Sequence, residues 1–279
     1  EMQRSLVGSE MCIRDSYYNK DLVKKYNLQY ILDDGFVTID EIKDLKGKLP
    51  KGTYALTYGN LPWAFMSLLY GAGGTLENDM DDLTKDVWRK PMEKLKEAYD
   101  AGVIAPMDVD GEQAFGSGKA VFAQLGTWAQ GNMSNTLGAD KIAEANTLQY
   151  SADNPVNFFY QCNWMQLKDP HRSAAKSAAA ADFVKYVYEH WMDWSEVGSI
   201  SPAYRDLNNP EYQKLIQASF TNSKKERDYI KTSNYLYGGY ATAGWGTYND
   251  IVYGNVGLEE GLKTLDLMAQ GQIEIQEES

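Results

Sequence analysis

Three stretches of strand length, separated by segments with helical spacing, limit what this chain can fold into more than any other feature. "TYALTYG" (Thr53–Gly59) alternates enough to be a strand, and "KAVFAQLG" (Lys119–Gly126) reads as a buried one. "FFYQCNWMQL" (Phe158–Leu167) is the third. Among the helical segments, "LTKDVWRKPMEKLKEAYDAG" spaces Trp88, Met92, Leu95 and Tyr99 by four, three and four, and Gly102 closes it. Pro91 inside that stripe predicts a kink or a late helix start. Strands alternating with helices point to an α/β architecture.

The remaining segments fit the same scheme. Asp21–Tyr26 is a short amphipathic helix, and in "VTIDEIKDLKGKLPKG" Thr38 and Glu41 have the spacing of a capping box. "NLPWAFMSLLYGAGG" predicts a helix capped by Asn60 and ended by Gly71–Gly74. "SAAKSAAAADFVKYVYEHWMDW" predicts one long helix with Phe183, Val187 and Trp191 on one face, and with Trp191 and Trp194 as packing residues. "NNPEYQKLIQASF" begins a helix at Asn209 and Pro210. "YLYGGYATAGWGTYNDIVYG" reads as a loop running into a helix, and Leu258, Leu262 and Leu265 line a final amphipathic helix.

A length of 279 residues suits one large domain or two modest ones. The formal charge of −12 argues against nucleic acid or an anionic membrane surface as partner, since both reward basic patches. Two cysteines, Cys12 and Cys162, make neither a disulfide framework nor a CxxC metal site. The 20 Tyr and 7 Trp are the unusual figures, and suggest a surface built to stack on something flat.

The first sixteen residues stand apart. Leu6–Asp15 back-translates in a single frame into a sequence resembling the transposon-end adapter of sequencing libraries. Residues 1–16 are therefore read as a non-native leader without strand or helix logic, ahead of a chain cut off upstream of Tyr17.

From Tyr17 onward, a series of segments occurs in a familiar order. They are "YYNKDLVKKYNL", "DDGFVTIDEI", "PWAFMSLLYGAGG", "AFGSGKAVFAQLGTWAQGN", "WMQLKDPHRSAAKSAAAADFVKYV", "VGSISPAYRDL" and "GNVGLEEGLKTLD". Together they resemble the extracellular solute-binding proteins of ABC sugar importers, the maltose-binding-protein-like family. The fourth, similar to the family's "AFxxGKAAMxxxGxW" segment, is the most specific. In the second, Val37-Thr38-Ile39 replaces the usual aromatic core. The resemblance implies an α/β, two-lobed, periplasmic-binding-protein-like fold of type II with the first lobe mostly missing. Residues 17–157 and 205–279 would form the second ligand-binding lobe, and 158–204 a remnant of the first lobe and the lobe crossing. It implies a carbohydrate ligand, an oligosaccharide, held between lobes and passed to ABC permease subunits. It also implies no enzymatic activity, no cofactor, a monomer, and a lipid-anchored place outside the cytoplasmic membrane.

A sugar offers polar edges and apolar C–H faces, so its binders supply aromatic planes and amides or carboxylates. Trp63, at the start of a helix, and Trp128, at the carboxyl edge of a strand where α/β clefts open, are candidate stacking residues. A core position under the helix or sheet is the competing role for each. Tyr240 and Trp245 lie in "GGYATAGWG", where the choice between them stays open, and Asn163 could offer an amide or simply sit on an edge strand. Other constellations fail. "FGSGKA" lacks phosphate-loop spacing, "ENDMDD" (Glu77–Asp82) reads as a solvated turn rather than a calcium loop, and His171 and His190 form no zinc cluster. A glycosidase, needing only two carboxylates, and a sugar-sensing receptor domain are the competing classes.

Overall fold

The computed structural model describes residues 7–33, 35–59, 61–164, 169–198, 208–218, 230–231 and 244–277. Side chains are described for all of these except 7–15, 63, 159–164, 230–231 and 276–277. The elements in chain order are β1 (Val7–Asn19), α1 (Lys20–Lys25), α2 (Ile39–Lys43), β2 (Tyr54–Tyr58), α3 (Leu61–Gly71), α4 (Asp86–Asp100), α5 (Gly111–Gly116), β3 (Ala120–Gly126) and α6 (Gln130–Met133). They continue with β4 (Ile142–Ala145), β5 (Asn157–Trp164), α7 (Ala174–Glu189), α8 (Trp191–Ser195), β6 (Ile230–Lys231), α9 (Trp245–Val252) and α10 (Leu258–Glu277).

The sheet runs β2-β3-β1-β5-β6, with β4 also paired to β1. β2 and β3 are parallel, as are β5 and β6, whereas β1 is antiparallel to β3, β4 and β5. Every residue of β3 is buried, as a strand covered on both faces must be. One face carries the larger core, in which Leu56 and Phe122 meet Phe65, Leu69, Trp88, Met92 and Leu95 of α3 and α4. Tyr248, Ile251, Leu262 and Leu265 of α9 and α10 join that core. The opposite face packs Tyr17, Ala123 and Leu125 against Phe115, Ala129 and Met133.

Local chemistry sets several boundaries. Asn19 caps α1 by accepting from the Leu22 amide at 3.1 Å. The Thr38–Glu41 capping box forms as its spacing predicts: the Glu41 amide donates to Thr38 Oγ1 at 3.2 Å, and the Thr38 amide donates to Glu41 Oε2 at 2.9 Å. In α4 the Trp88, Met92 and Leu95 stripe is wholly buried and Tyr99 half-buried. Pro91 neither delays nor ends this helix, which starts five residues earlier at Asp86. The proline forfeits one bond near the helix start, while its ring is buried beside Met92.

Four further expectations are corrected. Val7–Ser16 lie within β1, and residues 7–13 pair with β5. A β ladder is made by main-chain groups, so an open strand edge can recruit a segment whose side chains carry no pattern. Phe183 is 53% exposed and no described residue of α7 is buried, because a shared helical face does not by itself carry a residue into the core. Trp191 packs edge-on against Tyr212 with centroids 5.7 Å apart, but Trp194 stays 41% exposed. At Asn209 the side chain does accept from the Glu211 amide at 2.8 Å, yet among the described residues 209–217 the helical turn formed is the 3₁₀ turn Tyr212–Lys214.

Candidate functional site

A cleft of about 300 Å³ opens at the carboxyl ends of the parallel pair β2 and β3. Tyr58, Gly59 and Leu125 come from the strand ends, Leu61 from the first residue of α3, and Asp110, Gly111 and Glu112 from the start of α5. Trp128 follows β3, while Trp245 and Asn249 descend from α9, which ends beside Tyr253. This is where open α/β sheets place their ligands, because strands end there and loops diverge.

Each wall has a local cause. Asp110 caps α5, its Oδ1 accepting from the Gln113 amide at 2.7 Å. Thr57 Oγ1 donates to the Gly111 carbonyl at 3.1 Å, drawing α5 against β2. Only glycine fits at 111, since a Cβ there would lie 2.4 Å from the Tyr58 carbonyl oxygen. Glu112 Oε1 accepts from the side-chain Nδ2 of Asn132, which anchors the second carboxylate. On the far wall, Tyr253 meets Tyr99 edge-on at 4.9 Å and so ties the end of α9 to α4.

Trp128 is 49% exposed and Trp245 39% exposed, both within this one cleft. The core position considered for Trp128 is thereby excluded. Trp63 lies in the first turn of α3, next to the cleft residue Leu61, but its side chain is outside the described residues. The Asn163 side chain and the whole of Tyr240 are also outside them. Asp110, Glu112, Asn249, Tyr58 and Tyr253 were not singled out by sequence reasoning. Asp110 alone left a local signal, as a carboxylate with cap spacing ahead of the "AFGSGKA" segment.

The described lining contains two carboxylates and neither lysine nor arginine. Among the described residues no group of three or more His, Cys, Asp or Glu could hold a metal ion. Tyr58 is half-buried as a residue, yet its hydroxyl is shielded from solvent and has no hydrogen-bond partner among the described residues. Burial, and then the neighbouring Tyr253 phenol, push the Tyr58 hydroxyl well above its ordinary value of 10.0. Burial also raises Tyr253, with Tyr99 adding to it.

These facts define a stability prediction. An unfolded tyrosine ionises near 10, whereas the folded Tyr58 keeps its proton to higher pH. Above about pH 10 the unfolded chain therefore binds fewer protons, and stability falls as pH rises. Tyr58→Phe removes this contribution together with a buried hydroxyl that no described residue pairs. It is expected to stabilise the protein by about 1 kcal/mol at pH 8 and to flatten the loss between pH 9 and about 11. Urea unfolding across that range checks it, and a variant less stable than wild type at pH 8 would refute it.

Fold and cleft together describe a ligand-binding α/β protein. More closely, the family model for bacterial extracellular solute-binding proteins matches residues 16–219, and the chain belongs to that family. No curated protein matches it significantly in sequence. Among solved structures it is similar to the cyclic α-maltosyl-1,6-maltose binding protein of Arthrobacter globiformis (17% identity, 94% of this chain and 71% of that one, TM-score 0.68). It is also similar to the GacH receptor of Streptomyces glaucescens, studied with acarbose (16% identity, 97% and 71%, TM-score 0.74). UgpB of Mycobacterium tuberculosis, in complex with glycerophosphocholine, is comparably similar (15% identity, 97% and 71%, TM-score 0.74). At these identities the likeness establishes the fold.

Proposed function

We propose that this protein is the carbohydrate-binding subunit of a bacterial ABC importer, taking an oligosaccharide between two lobes and handing it to the permease. The observation that carries the reading is the meeting of two exposed indoles, Trp128 and Trp245, in one cleft beside Asp110, Glu112 and Asn249. Indole rings suit the apolar faces of a pyranose, and the carboxylates and amide accept or donate to its hydroxyls. A lining with carboxylates and no described cation fits a neutral glycan. The maltosyl and acarbose ligands of two structural relatives agree with it.

In this reading residues 17–157 and 205–279 form one lobe, while 158–204 belong to the other. Placing the two segments in one lobe is supported by the larger core, which joins Val23–Val156, with Phe158 at the boundary, to Tyr248–Ala269. Binding stabilises a closed form through a hinge, and no bond is made or broken. The protein acts outside the cytoplasmic membrane, as a lipid-anchored monomer. Trp63, Asn163 and Tyr240 complete the proposed contact set.

Isothermal calorimetry of the protein against neutral malto-, cello- and xylo-oligosaccharides tests this. Saturable binding with the glycan recovered intact is the expected result. Hydrolysis would move the protein to the glycosidase class, and absence of binding to every neutral glycan would refute the carbohydrate reading.

A further inference from the structure

Trp128 does not stand freely at the end of β3. The space that a Cβ on Gly126 would fill is occupied by its indole: Cζ3 lies 1.5 Å, Cε3 2.0 Å and Cη2 2.2 Å from that position. These three atoms belong to the six-membered ring, so that ring rests directly on the Gly126 main chain. The backbone itself does not demand glycine there, because φ is −88° and ψ 165°, an extended conformation open to any residue. Neither a turn nor a positive φ explains the glycine, which leaves the ring as its reason.

We infer that Gly126 is a positioning residue for ligand binding: its missing side chain is the seat that holds the Trp128 ring in the cleft wall. The affinity part of this inference rests on the reading of the cleft as a glycan site. A methyl group at 126 cannot coexist with the observed ring position, and no small adjustment resolves a separation of 1.5 Å. The indole must turn away, while the extended strand end can keep its ladder. One methyl group is then expected to act on the ligand through a residue two positions away.

The test uses the full chain and four proteins: wild type, Gly126→Ala, Trp128→Ala and the double variant. Gly126→Ala should lower glycan affinity by roughly the 100-fold expected of Trp128→Ala, and should cost nothing further once Trp128 is alanine. Equal losses in both backgrounds would overturn the inference, as would wild-type affinity in Gly126→Ala. The double variant, which has no ring to clash with, guards against a simple folding defect.

A second readout needs no ligand. With the 7 Trp replaced by 5-fluorotryptophan, the ¹⁹F resonance lost in Trp128→Ala identifies Trp128. Gly126→Ala should shift that resonance and spare the others. An unmoved resonance would overturn the seat. A shifted resonance in a protein that binds no glycan would uphold the seat and refute the carbohydrate reading instead.

Discussion

Trp128→Ala is expected to weaken glycan binding about 100-fold while leaving thermal stability nearly unchanged. The two halves of this expectation have one source. The indole is 49% exposed, so the fold buries only part of it, and a ligand in the cleft would cover the remainder. An aromatic side chain that stacks on a sugar loses on the order of 100 Å² to the contact, worth about 2.5 kcal/mol at roughly 25 cal/mol per Å². Each 1.4 kcal/mol is about tenfold in affinity, which gives the stated loss. Trp194 is a matched control, since it is 41% exposed but lies on α8, outside the described lining of this cleft. Trp194→Ala should bind as wild type does. Calorimetry on the two variants decides the matter: equal losses, or a change within threefold for Trp128→Ala, would show that the ring plays no stacking part.

The contrast between these two tryptophans also marks where the sequence stops being readable. Periodicity identified the α4 stripe, the capping box at Thr38 and the buried strand β3, because each is fixed by residues close together in the chain. The same reasoning placed Trp128 at a strand's carboxyl edge, since the glycine and threonine before it end an apolar run. It could not bring Trp245 to the same cleft, which depends on how α9 packs across α3 and α4. Phe183 shows the reverse error: helical spacing put it on an apolar face, but spacing cannot say whether anything covers that face. Asp110 and Glu112 were lost in a different way. Among 39 acidic residues a carboxylate acquires meaning only from its neighbours, here the end of β2 and the side-chain Nδ2 of Asn132. The Tyr58 hydroxyl was out of reach too, because the lack of a partner among the described residues leaves no trace in the residue itself.

Phe65→Ala is expected to produce the largest loss of stability in the molecule. Its ring is fully buried where three helices meet, stacked on Trp88 of α4 at 5.8 Å and 23°, and tilted against Tyr248 of α9 at 5.5 Å and 60°. Truncation removes both aromatic contacts and leaves a cavity among rigid neighbours, because Trp88 is held by its Nε1–H, which donates to the Asp79 carbonyl at 2.8 Å. Such a change costs about 3–5 kcal/mol, out of a total stability on the order of 5–15 kcal/mol. The melting temperature should fall by about 10 °C. The same cluster sets the attitude of α9, which carries Trp245 and Asn249 into the cleft, so the folded fraction should also bind more weakly. Phe65→Leu keeps most of the volume and should lose less than half as much on both counts. Thermal melts followed by calorimetry well below the transition separate the two effects. A Phe65→Ala protein that melts within two or three degrees of wild type would mean that α9 is held chiefly from its other side, through Leu262 and Leu265 of α10.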